Sequence, residues 1–306
     1  MLVLLAAVLW GTVGVSAQVA YGLDGRLTPL VIGFYRLLVA ALAMLLAHAV
    51  RPRQQVRWRI AAGRTLLGAV LAGALLGGYQ ACYFGAVRGV GVSLATLVTL
   101  GLAPVLVTLG TSLAGQRPSR RALLALGLAL LGLLLLVGLP TAGAEVTTDR
   151  LGVLLALGSA TGYAGLTVLG RWLAPRLGPR EVNLVSFTTG ALVLLPFALG
   201  SGSGLRVDDV RALAPLVYLG LVPTVLAYGL FFSGVRTVAP GVATTLTLVE
   251  PLTATLLAAL LLGERLSGGG LTGAALLLGA VALLSLQRHS PPAASGGRLC
   301  YTCRRS

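Results

Sequence analysis

One carboxylate sits where a charge is least expected. Glu250, followed at once by Pro251, lies inside "TLTLVEPLTATLLAALLLGERLS" (245 to 267), a run otherwise soluble in lipid. An acidic side chain at the bilayer centre costs about 2.5 to 3.5 kcal/mol on insertion scales, which disfavours a lipid-facing position. Helical phasing supplies a polar setting for it. At about 100° per residue, Pro240, Ala243, Thr244, Thr247, Glu250, Pro251, Ala254 and Ala258 share one face, while Val242, Val249, Leu252, Leu256 and Leu260 lie opposite. Thr245 and Thr253 are exceptions, tolerable because a hydroxyl can bond the carbonyl one turn back. Pro251 has no N–H, so the Thr247 carbonyl is expected to be a free acceptor beside the carboxylate.

The other deep charge is Arg36, about 12 Å along its helix from one end. Its length lets it snorkel to the headgroups, pair with Glu250 or hold an anionic group. Tyr79, Gln80, Tyr83, Tyr163 and Tyr228 also lie deep, and Trp10, Tyr35 and Asn183 are further candidates. A wide aromatic cavity with one carboxylate suits amines, amino acids or lipophilic cations. The candidate substrate contacts are therefore Glu250, Arg36, Tyr79, Gln80, Tyr83, Tyr163, Thr244, Thr247 and Tyr228. Enzyme chemistry finds no support: a hydrolase inside the bilayer needs a nucleophile with its base, paired aspartates or metal ligands, and no deep His or second deep carboxylate supplies them. "GERLSGGG" (263 to 270) lacks the Gly-Lys-Ser/Thr ending of a phosphate loop. Cys300 and Cys303 in "RLCYTCRRS" make half a zinc site at most, so no cofactor or metal is expected.

These residues need membrane helices to hold them. The chain has 306 residues, 57% hydrophobic and 10% charged, with mean hydropathy +0.94, the composition of an all-α integral membrane protein. A net charge of +15 would suit nucleic acid, but its arginines are spread through short connectors and no nucleic-acid partner is expected. Windows of about 20 apolar residues predict ten transmembrane helices, near 2 to 21, 29 to 49, 65 to 85, 92 to 114, 121 to 139, 151 to 172, 181 to 200, 212 to 233, 240 to 262 and 270 to 287. "VSA" before Gln18 resembles a signal-peptidase site, but the start lacks a basic region, so the first segment is read as a helix. With both termini cytoplasmic, sixteen arginines fall in inside connectors and the tail against six outside, the bias the positive-inside rule requires. A multi-pass membrane protein is the expectation.

The chain also repeats. A shift of 150 lays "VLLAAVLWGT" (3 to 12) on "VLLALGSATG" (153 to 162), and a shift of 148 lays "YFGAVRGVGVSLATLVTL" (83 to 100) on "FFSGVRTVAPGVATTLTL" (231 to 248). Two five-helix repeats follow, 1–139 and 150–288, with a disordered tail over 289–306. Because five is odd, the second is inverted relative to the first, and such halves can rock to expose a central cavity to alternate sides. Ser186 takes the place of Arg36 in the second repeat, and Gln116 that of Glu264, so the cavity is chemically asymmetric.

"LWGTVGV" in the first helix, "LTPLVIGFYRLLVAAL" in the second and "YGLFFSGVRTVAPGVATTLTLVEPLTATLLAALLLGERLS" through the eighth and ninth resemble the EamA-type branch of the drug/metabolite transporter superfamily. The resemblance covers about residues 1 to 288. It implies a carrier of the inner (plasma) membrane, usually an exporter of small metabolites, amino acids, amines or drugs, driven without ATP. Partners are then a small-molecule substrate and the lipid bilayer, with protons as a candidate coupling ion, in a monomer or homodimer. The competing reading is a non-transporting membrane scaffold or an intramembrane enzyme.

Overall fold

The computed structural model describes residues 1–50, 63–137, 149–202, 204–262 and 268–285, and in these every regular element is helical. Lipid offers backbone groups no partner, so each segment must satisfy its own. The elements are α1 (Leu2–Leu23), α2 (Pro29–Val50), α3 (Arg64–Leu113), α4 (Arg120–Val137), α5 (Arg150–Leu173), α6 (Pro179–Leu199), α7 (Leu213–Gly220), α8 (Ala227–Gly234), α9 (Pro240–Leu246), α10 (Val249–Leu262) and α11 (Gly268–Ser285). Among the described residues nine stretches are long and apolar enough to cross a membrane, and Gly268–Leu284 is a shorter apolar helix. The chain is thus a multi-pass membrane protein, but the expected count of ten full spans is reached in nine. The tenth starts directly after residues 263–267, Glu264 and Arg265 among them, which lie outside the described set, as do the connector from Arg51 to Arg59 and the tail with Cys300 and Cys303.

Three expected spans take a different form. The third and fourth join, because α3 runs on through a bend at Gly91, whose φ of 80° and ψ of 165° suit a residue without Cβ. The eighth is α7 and α8 linked by a π-helical stretch, Leu221–Leu226. Pro223 cannot donate there, and the Thr224 hydroxyl donates five residues back to Leu219 O at 2.7 Å. The ninth breaks between α9 and α10 at Thr247 and Leu248, where Leu248 N donates to Thr245 O (3.2 Å) and Glu250 N to Thr247 O (2.9 Å). The expectation of a free Thr247 carbonyl is therefore wrong: the tightened turn that accommodates Pro251 hands that carbonyl to the Glu250 amide.

Interleaving of helices explains the burial pattern. α3 packs on α5 and α6, α2 on α6 and α7, α1 on α8 and α10, and α4 on α11, while α9 lodges among α1, α3, α4, α5 and α11. The broken helix is consequently enclosed on all sides at first and meets lipid only later. Val249 and Leu252, expected to face lipid, are 8% and 3% exposed, whereas Leu256 and Leu260 reach 44% and 79%. Small residues permit the close crossings. A Cβ on Gly73 would stand 2.7 Å from Ser186 O, and one on Gly77 would stand 2.6 Å from Gly190 O, so α3 and α6 touch backbone to backbone.

Polar contacts tie the ends of the bundle. At one end Asp24, buried after α1, accepts the backbone N–H of Asp208 at 2.7 Å, of Asp209 at 3.4 Å and of Arg26 at 3.1 Å. Arg26 and Arg206 both pair with Asp208, at 3.2 and 2.8 Å. Thr28 and Ser201 bond at 3.1 Å, and the Tyr35 hydroxyl donates to Leu205 O. The hydrogen bonds from Asp208 and Arg26 hold the Asp24 carboxyl below the usual carboxylate range. At the other end Arg171 donates to Val235 O, and Arg236 to Leu177 O at 2.8 Å, joining the α5–α6 and α8–α9 turns.

Candidate functional site

Glu250 occupies the first turn of α10, directly after the break. Its depth is set by α1: Gly11 packs so closely that a Cβ there would lie 2.9 Å from Glu250 O and 2.5 Å from Thr253 Cβ. The half-buried carboxylate accepts no hydrogen bond among the described residues. It lies within electrostatic reach of Arg36, Tyr79, Tyr83 and Tyr163. These neighbours come from α2, α3 and α5, so with α1 four helices besides its own converge on one carboxylate.

Arg36 does not form an ion pair with Glu250 within 4.0 Å in this conformation; the ion pairs among the described residues are those of Asp208 and Asp209. Its Nε instead donates to Thr224 Oγ1 at 2.6 Å and its Nη2 to Pro223 O at 3.2 Å. The π-helical stretch thus provides the acceptors that hold the guanidinium inward, close enough to act on Glu250 and on Tyr228.

The aromatic residues form a connected set. The Tyr79 and Tyr228 hydroxyls are 2.9 Å apart, the Tyr79 and Tyr163 rings stack tilted at 5.5 Å, and Tyr163 Oη donates to Thr247 Oγ1 at 3.0 Å. The Thr247 hydroxyl in turn donates a hydrogen bond to Thr244 O at 2.8 Å. Trp10 joins from α1, with its ring 4.9 Å from Tyr228 and 5.3 Å from Phe231. Tyr83 sits apart: its hydroxyl meets Thr96 Oγ1 at 2.8 Å and spans the Gly91 bend. Two candidates are engaged with backbone. Thr244 donates to Pro240 O and Gly241 O, both at 3.1 Å, and Gln80 Nε2 donates to Leu76 O at 3.2 Å.

Several participants escaped the sequence reading. Thr224 holds Arg36, and Ser159 fixes α5 on α3 by donating to Tyr79 O at 2.9 Å. A proline followed by threonine in mid-span, Pro223-Thr224, was the available signal for the first; nothing distinguishes Ser159 from other small packing residues. Trp10 Nε1, Thr99 Oγ1 and Asn183 Oδ1 are buried without a partner in the described structure. Each such group costs about 1–3 kcal/mol, so the interior carries polar capacity that its own packing leaves unused.

Known proteins place the chain. The model of the EamA-like transporter family matches twice, over residues 1–138 and 150–286. The chain is 34% identical over 280 residues to the uncharacterized transporter YwfM of Bacillus subtilis (strain 168), covering 90% of each. It is 28% identical over 288 residues to a probable amino-acid metabolite efflux pump of Salmonella typhimurium, covering 90% of this chain and 91% of that one. A crystal structure superposes with a TM-score of 0.76 at 22% identity, over 93% of this chain and 96% of the other, and shows a shared fold alone. The family match spans most of the sequence and the YwfM likeness runs nearly end to end: the chain belongs to the EamA-like transporter family.

Proposed function

We propose that the protein is a secondary carrier that exports small metabolites bearing an amine, amino acids among them, across the inner membrane by alternating access in exchange for protons. The observation that carries this reading is Glu250, half-buried, its carboxylate without a hydrogen bond among the described residues and within electrostatic reach of Tyr79, Tyr83 and Tyr163. A cationic amine would supply the missing donor, and the tyrosine faces favour a cation as well. Arg36, inward-facing on Thr224, suits the carboxylate of an amino acid. The probable amino-acid metabolite efflux pump among the relatives supports the same substrate class. The two halves that the family model matches act as inverted five-helix repeats, rocking about the site with both termini cytoplasmic. Glu250 carries a proton when no substrate is bound and releases it when the amine arrives, which links the two fluxes.

Flux into proteoliposomes across a panel of amino acids, amines and organic cations tests the assignment. An electrostatic hydrogen bond contributes about 1.5–3 kcal/mol, so Glu250→Gln is expected to weaken amine transport about ten- to a hundredfold and to flatten its pH dependence. Unchanged flux and unchanged pH dependence in that variant would overturn the coupling.

A further inference from the structure

The first part of α3 and the last part of α5 leave a groove of about 570 Å³ between them on the outer surface of the bundle. Leu67, Leu71 and Leu75 on α3 face Val168 and Trp172 on α5 across it, and the one charged side chain in its wall is Arg64. Two glycines shape it. A side chain on Gly165 would meet Leu75 at 3.3 Å, and a Cβ on Gly68 would stand 2.7 Å from Trp172 Cζ3, so the indole lies directly over the α3 backbone.

The groove has the depth of one leaflet. Arg64 opens α3 and Leu75 follows eleven residues later, about 16 Å along the axis, half of the roughly 30 Å hydrocarbon thickness. It therefore runs from headgroup level to near the midplane with an apolar wall throughout. Its cations gather at the shallow end. Arg64 is exposed there, and the Arg176 guanidinium stands 4.0 Å from the centre of the Trp172 ring that borders the groove. A guanidinium binds phosphate through two parallel donors, while a neutral zwitterionic lipid would set its own cation against the same arginines.

We propose that this groove binds an anionic phospholipid, with one acyl chain laid between α3 and α5 and the phosphate held by Arg64. The site is separate from Glu250 and does not depend on the transport reading. Its test uses the full chain in phosphatidylcholine bilayers that contain a rising fraction of either phosphatidylglycerol or phosphatidylcholine brominated in the acyl chain. Quenching of Trp172 emission is read as the difference between the wild type and Trp172→Phe. One guanidinium near the surface is expected to bring half-quenching at about fivefold lower fraction of the brominated phosphatidylglycerol. Arg64→Gln should remove that preference, Arg64→Lys should keep most of it, and Gly165→Leu should exclude the chain and the quenching. Equal quenching by the two lipids, or a preference that survives Arg64→Gln, overturns the proposal. Absence of quenching by either lipid overturns it too, since protein from a second copy would then cover the groove.

Discussion

Arg36 Nε donates to Thr224 Oγ1 at 2.6 Å, and Thr224 Oγ1 donates onward to Leu219 O at 2.7 Å. One hydroxyl therefore fixes a membrane-embedded cation and closes a π-helical turn. Thr224→Val keeps the shape and removes both bonds, leaving Arg36 Nε without its acceptor. Loss of about 1–3 kcal/mol is expected, read as a lower unfolding midpoint in detergent, with Thr224→Ser close to the wild type.

Tyr228 packs against Trp10, Phe187, Phe231 and Phe232 and reaches Tyr79 with its hydroxyl. Ring and hydroxyl separate by substitution. Tyr228→Phe should cost about 0.5–1.5 kcal/mol, the worth of one hydrogen bond, whereas Tyr228→Ala should cost about 3–5 kcal/mol by opening a cavity. Equilibrium unfolding of the two variants distinguishes a structural ring from a hydroxyl needed mainly for substrate, in which case Tyr228→Phe would lose flux far more than stability.

Gly11 and Gly14 lie one turn apart on α1 with opposite surroundings. A Cβ on Gly11 would press on Thr253 at 2.5 Å and on Glu250 O at 2.9 Å, while one on Gly14 would meet nothing within 4 Å. Gly11→Ala is expected to cost about 1–3 kcal/mol through overpacking and to impair transport by displacing Glu250. Gly14→Ala should be neutral or stabilising by up to about 1 kcal/mol through helix propensity. Thermal unfolding and flux of the pair provide the check.

Asp24 clasps the α1–α2 turn to residues 208 and 209. Its carboxyl is held below the usual range by the Asp208 and Arg26 amides, so its folded value is depressed relative to the unfolded one. The resulting stability is fully present above the ordinary aspartate value of about 3.9 and is lost as pH falls through the folded value. Asp24→Asn should therefore unfold more easily than the wild type by a constant margin from about pH 5 to 8. The margin should close below about pH 4, which thermal unfolding across pH reports.

What the sequence made legible follows from the solvent. A run of about 20 apolar residues has few fates other than a membrane helix, and nine such stretches stand within the described residues. Glu250, Arg36 and the deep tyrosines stood out in the sequence because polarity in such runs is costly, and the fold brings Arg36, Tyr79, Tyr83 and Tyr163 each within electrostatic reach of Glu250. Single-helix phasing failed where the helix is not single. It assigned Val249 and Leu252 to lipid because it carried one angular register across the break at Thr247 and Leu248. Pro251 signalled an interruption, but whether its carbonyl partner stays free depends on the turn that forms, which local spacing does not specify. Thr224 was hidden for a related reason: its role exists only once α2 lies against the π-helical stretch.

The α4–α11 seam has a mechanical consequence. A Cβ on Gly132 would stand 2.8 Å from Gly273 O, and one on Gly273 would stand 2.6 Å from Gly132 O. Each helix is notched into the other, so sliding by even one residue would drive a side chain into a carbonyl. The pair is held in register, whereas the backbone departs from regular α-helix at the Gly91 bend, the π-helical stretch and the break before Glu250. Two of those three irregularities border the charges at the core, so under the proposed alternating access any movement there would also change the setting of Arg36 or Glu250.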